Sequence, residues 1–243
     1  EKLIIEGRVT INGKPTQLGN RVIDGDEVKI DGSILKSKPK TIYIALNKPV
    51  GIVCTTDAKE RKNIIKYVNY PERLFPIGRL DKPSEGLIFL TNDGDIVNKI
   101  LRAGNNHKKE YKVTVNRLVT DSFVKKMANG IPILGTITQK CAVHKISNYE
   151  FKIVLTQGLN RQIRRMCEYL GYEVTKLKRT RIMNVSLAGI PYGSWRELSS
   201  KEVETINLLL ASSSKTAEAS KDQNKGKVFG RKRTNFNRNK RKS

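Results

Sequence analysis

One acidic residue flanked by cations is the part of this sequence best suited to chemistry. Residues 78–94 read G-R-L-D-K-P-S-E-G-L-I-F-L-T-N-D-G and place Asp81 between Arg79 and Lys82, directly ahead of an apolar run. Adjacent cations favour the ionised carboxylate, which could serve as a base or a nucleophile at neutral pH. Catalytic groups are commonly carried by loops that rigid strands hold in place. The alternative is that Asp81 only forms an Asx turn before Pro83.

A second candidate segment is the basic helix predicted over residues 160–170. Asn160 is a candidate N-cap and Gly171 a candidate stop. Apolar residues at helical spacing predict a buried face: Ile163, Met166, Cys167 and Leu170. Beside that face lies a stripe of three arginines, which is either a solvated surface or an RNA-binding surface: Arg161, Arg164 and Arg165. The basic segment 176–181 favours RNA binding, because helix and strand together would form a phosphate-binding surface.

The strands and helices that must position these residues are predicted to form an α+β domain. Strand-like runs lie at Ile42–Leu46, Gly86–Thr91, Tyr111–Val115 and Tyr149–Leu155, and helical spacing marks Ile96–Arg102, Thr120–Asn129 and Asn160–Leu170. Several strands are joined by hairpin-length connections, which predicts a mixed or antiparallel sheet rather than a doubly wound parallel one. No strand leads into a G-x-G-x-x-G or P-loop, so nicotinamide, flavin, nucleotide-hydrolysis and common methyl-transfer functions are disfavoured.

The chain as a whole is predicted to consist of four parts. Residues 1–36 carry the pattern G-R-V-x-I-N-G…G-D-x-V-x-I, which resembles the second half of an S4 RNA-binding domain, so that the first half is expected to be missing. The sequence also lacks an initiator Met, as a trimmed fragment would. Residues 37–40 are a predicted linker, and residues 41–210 the main domain. Residues 211–243 hold 11 Lys or Arg against two acids and few large apolar residues, which predicts a disordered basic tail.

The net charge of +24 points to a polyanionic partner. Subtracting the +9 of the tail leaves +15 on residues 1–210, so the folded part is itself basic. No apolar run approaches the roughly 18 residues of a membrane helix, and no signal peptide is recognisable. The 3 cysteines are widely spaced and lack a C-x-x-C pair, which disfavours disulfides and a metal site. We therefore expect a cytoplasmic, monomeric protein that binds structured RNA and no membrane.

Four ordered motifs carry a resemblance to a known family. They are G-R-L-D with S-E-G-L-I-F-L-T-N-D-G, then K-E-Y at residues 109–111, then N-R-Q-I-R-R-M from residue 160, then L-K-R-T-R-I from residue 177. In this order they resemble the RsuA-type branch of bacterial pseudouridine synthases. L-N-K-P-V-G-I-V-C-T-T and the basic tail are similar to those of its F-type members, which act on the large ribosomal subunit. The resemblance implies the pseudouridine synthase fold and isomerisation of a uridine in 23S ribosomal RNA, with a tRNA anticodon stem-loop as a further substrate.

The resemblance also implies a set of site residues. The catalytic residues would be Asp81, Tyr111 and Arg164, and the residues that contact RNA or the target nucleotide would be Arg79, Leu80, Lys82, Arg161, Gln162, Ile163, Arg165, Leu177, Lys178 and Arg179. Asp81 would act at the ribose C1′ or as a base, Tyr111 would pack against the uracil, and Arg164 would pair with Asp81. The reaction needs no cofactor and no metal, because it exchanges one glycosidic bond for another without redox change or a group donor.

Two other functions compete with this one. A non-catalytic RNA-binding or ribosome-assembly protein would explain the charge and the S4-like front. It would not explain an acid within the basic loop at Asp81, where a carboxylate repels phosphate. An RNA hydrolase would be expected to show a histidine pair or several acids that hold metal ions, and 2 separate histidines make that function a poor match.

Overall fold

The computed structural model of this protein describes residues 1–23, 25–35, 41–101 and 107–211. The chain divides into two compact units, Glu1–Thr41 and Ile42–Ser243. The predicted linker 37–40 and, apart from Ala211, the predicted tail lie outside the described residues.

The first unit contains a short helix and a small antiparallel sheet. Its elements are α1 (Lys2–Ile5), β1 (Val9–Ile11), β2 (Lys14–Pro15), β3 (Val28–Ile30) and β4 (Ser33–Ile34), with strand order β2-β1-β3-β4. Asn12 and Gly13 join β1 to β2 with φ of 50° and 77°. Positive φ at both central residues is the type I′ geometry that Asn-Gly favours.

The second unit is built on one large mixed sheet. Its strands are β5 (Tyr43–Lys48), β6 (Phe75–Ile77), β7 (Glu85–Thr91), β8 (Lys109–Val115), β11 (Ala142–Lys145), β12 (Glu150–Leu155), β13 (Val174–Ile182), β14 (Val185–Ser186) and β15 (Trp195–Glu197), and a separate hairpin is formed by β9 (Pro132–Ile133) and β10 (Thr136–Ile137). The main strand order is β11-β12-β8-β13-β7-β5-β15, with β14 beside β13 and β6 beside β7. The pair β13/β7 is parallel and the neighbouring pairs are antiparallel, which confirms the predicted mixed α+β sheet.

Helices cover both faces of this sheet. They are α2 (Ile64–Val68), α3 (Gly94–Leu101), α4 (Asp121–Asn129), α5 (Gln162–Tyr169) and α6 (200–211). The apolar face predicted for α5 is confirmed, since Ile163, Met166 and Cys167 are buried in one cluster and Leu170 packs against it. Along β7, Ile88 and Leu90 enter one cluster while Leu87 and Phe89 enter another, so the sheet is buried on both sides.

One row of residues crosses the centre of the sheet. Lys48 of β5 lies opposite Gly86 of β7, Gly86 opposite Arg179 of β13, and Arg179 opposite Tyr111 of β8. Residues directly opposite one another present their side chains on the same face. A Cβ at Gly86 would lie 2.3 Å from the carbonyl oxygen of Arg179, and its φ is +105°. Only glycine therefore lets β7 and β13 approach each other in this row.

We predict that Gly86→Ala lowers the free energy of unfolding by about 3 kcal/mol, because the methyl group forces β7 and β13 apart in a strained backbone conformation. Denaturant titration measures the change. Gly94→Ala is the matched control, since a Cβ there meets nothing within 4 Å and lies in helix α3. Equal unfolding midpoints for Gly86→Ala and the wild type would show that this close approach does not constrain the sheet.

Candidate active site

The carboxylate of Asp81 lies in a tight turn immediately before β7. Its backbone carbonyl accepts a hydrogen bond from the Ser84 amide at 2.9 Å, which closes the turn. Its side chain is 37% exposed, so the carboxylate lies at the surface of the domain within reach of a ligand. This placement follows from the sequence, because Pro83 and Ser84 favour a turn and the apolar run that follows must enter the sheet.

Both chain neighbours of Asp81 are hydrogen-bonded to residues 49–54, which we call the bracing loop. On one side the Leu80 amide donates to Sγ of Cys54 at 3.3 Å. On the other side the carbonyl of Lys82 accepts from the Gly51 amide at 2.8 Å. The backbone that carries Asp81 is thus fixed one residue before and one residue after the carboxylate.

A buried ammonium group organises the bracing loop. Lys48 is 0% exposed, and its Nζ donates to the carbonyls of Pro49 and Ile52, each at 2.9 Å. Burial lowers the pKa of Lys48, and the nearby negative charge of Asp81 acts in the opposite direction. From the other side, the hydroxyl of Tyr192 accepts from the Val50 amide at 3.0 Å. Sequence reasoning missed the contacts of Lys48 and of Tyr192. The position of Lys48, at the end of an apolar strand and before Pro49, was a signal for the first of them.

Cys54 gives the bracing loop a neutral sulfur acceptor. The residue is buried, and this burial raises the pKa of its thiol, while the Leu80 amide acts in the opposite direction. A neutral thiol can accept a hydrogen bond, although it is a weak acceptor. Leu80 is also buried, so its amide has little water nearby as an alternative partner.

The helix α5 approaches Asp81 with its first residue. Arg161 is the N-cap of α5 with φ of 49°, and its Nη1 lies 3.9 Å from Oδ2 of Asp81. Both side chains are substantially exposed, at 45% and 37%, so solvent screens this pair and its contribution to stability is small. The prediction of Asn160 as N-cap is wrong by one residue; Asn160 instead accepts two hydrogen bonds from the Arg165 guanidinium. Gly171 follows the C-cap with φ of 79°, as predicted.

The family resemblance implied that Arg164 pairs with Asp81. In the structure, the Arg164 guanidinium is hydrogen-bonded to other groups. Its Nη2 donates to the Pro83 carbonyl at 3.2 Å and to Oγ of Ser84 at 3.3 Å, and its Nη1 donates to the Val174 carbonyl at 3.0 Å. Burial lowers the pKa of Arg164, the charge of Arg161 lowers it further, and the charge of Asp81 opposes both. Arg164 therefore connects α5 and β13 to the turn that follows Asp81, while the ion pair with Asp81 belongs to Arg161.

Tyr111 is half-buried between two hydrophobic clusters. One of them contains Leu177 of β13, and the other contains Leu80 and Cys54 beside the Asp81 turn. The ring therefore lies over the junction between the sheet and the Asp81 turn. An aromatic ring in this position offers a flat apolar wall to a planar ligand.

The residues predicted to contact RNA fall into two groups. Exposed or half-exposed cations surround the Asp81 turn and the start of α5: Arg79, Lys82, Arg161, Arg165 and Lys178. Five others are buried: Leu80, Gln162, Ile163, Leu177 and Arg179. The polar pair in this group is hydrogen-bonded to the main chain, and its contact with RNA stays a prediction. The amide oxygen of Gln162 accepts from the Leu159 amide, and Nε of Arg179 donates to the Leu87 carbonyl at 2.6 Å.

The apolar members of the buried group belong to the core. Ile163 packs within the α5 cluster and is 4% exposed, so it presents almost nothing to RNA. Leu80 and Leu177, each 7% exposed, lie in the two clusters that meet at Tyr111. Among the described residues, no group of three or more His, Cys, Asp or Glu could hold a metal ion, and no helix has the length and apolarity to cross a bilayer.

Comparison with known proteins identifies the family. The model of the RNA pseudouridylate synthase family matches residues 42–169. The dual-specificity RNA pseudouridine synthase RluF of Salmonella typhi is 56% identical over 235 residues, which span 96% of this chain and 81% of that protein. The ribosomal large subunit pseudouridine synthase B of Bacillus subtilis is 34% identical over 86% of this chain and 89% of that one. A crystal structure of a pseudouridylate synthase superposes with a TM-score of 0.65 at 29% identity, over 84% of this chain and 91% of that one.

These matches extend over the sheet, the Asp81 turn and α5, which are the elements that form the site. The sequence resemblance to pseudouridine synthases is therefore confirmed, and so is the predicted fold. The chain belongs to the RNA pseudouridine synthase family and is an isomerase of the RsuA type.

Proposed function

We propose that this chain converts a specific uridine of structured RNA to pseudouridine, with Asp81 as the catalytic carboxylate. The observation that carries the proposal is the fixed position of Asp81, whose two chain neighbours are both hydrogen-bonded to the bracing loop. Preorganisation of this kind is expected of a group that must meet a reacting atom in a defined geometry. A residue that only formed an Asx turn would not need it.

The reaction requires few chemical groups. The C1′–N1 bond of uridine breaks, the base turns within the pocket, and a C1′–C5 bond forms. The proton at C5 is then lost and N1 gains one, so that the product is an isomer of the substrate. Asp81 acts at the ribose, either by attack on C1′ or as the base that removes a proton. The uracil must stay bound while it turns, and the ring of Tyr111 with Leu80 and Leu177 beneath it supplies the apolar wall for that step.

The cations around Asp81 suit an extruded nucleotide. Flipping a base out of its stack costs a few kcal/mol, and contacts with the flanking phosphates can offset this cost. The side chains of Arg79, Lys82 and Arg161 lie around the carboxylate and are exposed to solvent. Before RNA arrives, Arg161 pairs with Asp81; a bound phosphate could take over that guanidinium and free the carboxylate for chemistry.

For the substrate we propose 23S ribosomal RNA, with a tRNA anticodon stem-loop as a second target, and the cytoplasm as the place of action. Support comes from the relatives, one of which is described as dual-specificity and another as a large-subunit enzyme. Incubation with RNA tritiated at uridine C5 tests whether a given RNA is a substrate, because isomerisation releases tritium to solvent and binding alone does not. Comparison of modified positions in RNA from wild-type and deletion strains identifies the target uridine.

We predict that Asp81→Asn abolishes tritium release while RNA affinity changes less than about threefold, because the carboxylate takes part in chemistry and not in phosphate binding. Filter binding and tritium release on the same protein sample provide the two measurements. Turnover by pure Asp81→Asn would exclude Asp81 as the catalytic carboxylate.

Two arginines of α5 should differ in their effects. Arg164→Met is expected to lower the single-turnover rate at saturating enzyme by tenfold or more, since it removes two hydrogen bonds to the turn after Asp81 and the one that ties them to Val174 of β13. Arg164→Lys should restore little, because an ammonium cannot reproduce the planar fork of a guanidinium. Arg165→Met, the matched variant on the same helix, should weaken binding and reduce its salt dependence by about one phosphate contact. A normal saturated rate in Arg164→Met would contradict the positioning role.

Cys54 provides a test of the bracing loop. Cys54→Ala leaves the buried Leu80 amide without an acceptor, and we expect the saturated single-turnover rate to fall about tenfold while RNA affinity is retained. Cys54→Ser keeps an acceptor at nearly the same position and should recover most of the rate. The circular dichroism spectrum and melting temperature of both variants control for misfolding. If serine and alanine lower the rate equally, the hydrogen bond to Leu80 does not position Asp81.

A further inference from the structure

The tip of the β9–β10 hairpin places a leucine where the backbone disfavours it. Ile133 lies opposite Thr136, so that Leu134 and Gly135 form a two-residue turn, with φ of 50° and 71°. Asn, Asp and Gly are preferred at the first position of such a turn, because a larger L-residue brings its Cβ close to the following carbonyl oxygen. The side chain of Leu134 is also 54% exposed. It is therefore both strained and in contact with water, which suggests that a ligand covers it.

The hairpin is held rigidly at its base. Ile131 and Ile133 are buried in the core cluster that also contains α4 and α5. The Ile131 amide donates to Oγ1 of Thr138 at 2.9 Å, and a Cβ at Gly130 would lie 2.6 Å from the Thr138 carbonyl oxygen. The base of the hairpin is therefore fixed to the core, so the backbone conformation at the tip is part of the folded structure of the domain.

Beside the tip lies a shallow concavity shared with α5. Its volume is about 240 Å³, and it is lined by Pro132, Ile133, Leu134, Arg165, Glu168 and Tyr169. The ring of Tyr169 is 59% exposed and provides a second apolar wall. Two hydrogen bonds from Arg165 to Asn160 fix the guanidinium beside this wall. The volume is below the roughly 300 Å³ at which pockets for drug-sized ligands begin, which suits a single planar ring.

The helix α5 links this concavity to the proposed active site. Arg161, Arg165 and Tyr169 are spaced four residues apart and therefore form one stripe on the helix. At 1.5 Å per residue, Tyr169 lies about 12 Å along the axis from Arg161, the residue that pairs with Asp81. An RNA strand that inserts its target uridine at Asp81 could follow the two arginines and bring a neighbouring nucleotide to Tyr169.

We propose that the concavity between Leu134 and Tyr169 binds an unpaired nucleobase of the substrate RNA, a few nucleotides from the target uridine. The base stacks on Tyr169, contacts Leu134 with its other surface, and has its phosphate near Arg165. Glu168 at the rim repels phosphate, so the charge pattern places the base and not the backbone at this end. A carboxylate accepts hydrogen bonds from the amino group of cytosine, so bases that carry an amino group should be preferred. The inference rests on the proposed function, because it assigns a neighbouring nucleotide of the same substrate.

Substitution of Leu134 distinguishes a ligand contact from a structural role. Leu134→Asn introduces a residue that the turn prefers, so the melting temperature should be unchanged or higher. At the same time, the affinity for transcribed 23S ribosomal RNA should fall about fivefold or more, as measured by filter binding. A lower melting temperature would mean that Leu134 stabilises the hairpin, and unchanged affinity would mean that RNA does not cover it; either result overturns the inference.

Substitution of Tyr169 tests stacking. Loss of one stacked base weakens binding by about 5- to 150-fold, which is the effect expected for Tyr169→Ala. Tyr169→Phe keeps the ring and should bind RNA within about twofold of the wild type. Tyr149→Ala is the matched control, since Tyr149 is also an exposed aromatic residue and lies outside the concavity. Equal weakening by Phe and Ala, or normal affinity of Tyr169→Ala, would contradict a stacked base.

Tritium release by the same proteins separates this inference from the proposed function. If the wild type releases tritium and the variants bind RNA normally, the proposed function stands and the base site is overturned. If the wild type binds RNA without releasing tritium, the proposed function is overturned, while weaker binding by Leu134→Asn and Tyr169→Ala still supports the base site.

Discussion

The arrangement of this site depends on the two hydrogen bonds that hold the main chain on either side of Asp81 against the bracing loop. A carboxylate in a surface turn would otherwise sample many positions, because loops are the more mobile parts of a fold. The amide of Leu80 and the carbonyl of Lys82 fix that turn from both sides. The bracing loop in turn depends on the buried ammonium of Lys48, which bonds two of its carbonyls. The same strand row requires Gly86, where β7 and β13 approach too closely for any side chain.

The positive charge of the domain serves two different purposes. Lys48 and Arg179 are buried, and their contacts with main-chain carbonyls stabilise loops and strands around the site. Lys82 and Arg161 are exposed and remain available to phosphate. Arg164 lies between these classes, half-buried and bonded to the turn after Asp81. Total charge indicates an RNA partner, but the burial of each side chain decides which cations can meet it.

Much of the fold followed from local patterns in the sequence. Runs rich in β-branched and aromatic residues predicted the central strands, and Thr120 begins α4 as a side-chain cap, within one residue of the predicted start. Asp81 could be selected because an acid between cations is chemically unusual. The contacts missed at Arg164 and Arg179 have one cause, which is that contacts between distant segments depend on tertiary register. Arg179 is buried only because β13 lies between β7 and β8, and Arg164 reaches Pro83 only because α5 packs beside the Asp81 turn. The sequence around either arginine contains no pattern that indicates such a partner.

The central claim is that Asp81, held in this position, meets the ribose of an extruded uridine beside Tyr111. A crystal structure of the complex with RNA in which the target uridine carries fluorine at C5 tests it most directly, because fluorine replaces the proton that must leave. We expect an extruded base against the Tyr111 ring and a carboxylate oxygen of Asp81 about 3–3.5 Å from the ribose atom on which it acts. A target base still stacked in the RNA, or a ribose that contacts residues far from Asp81, would contradict it.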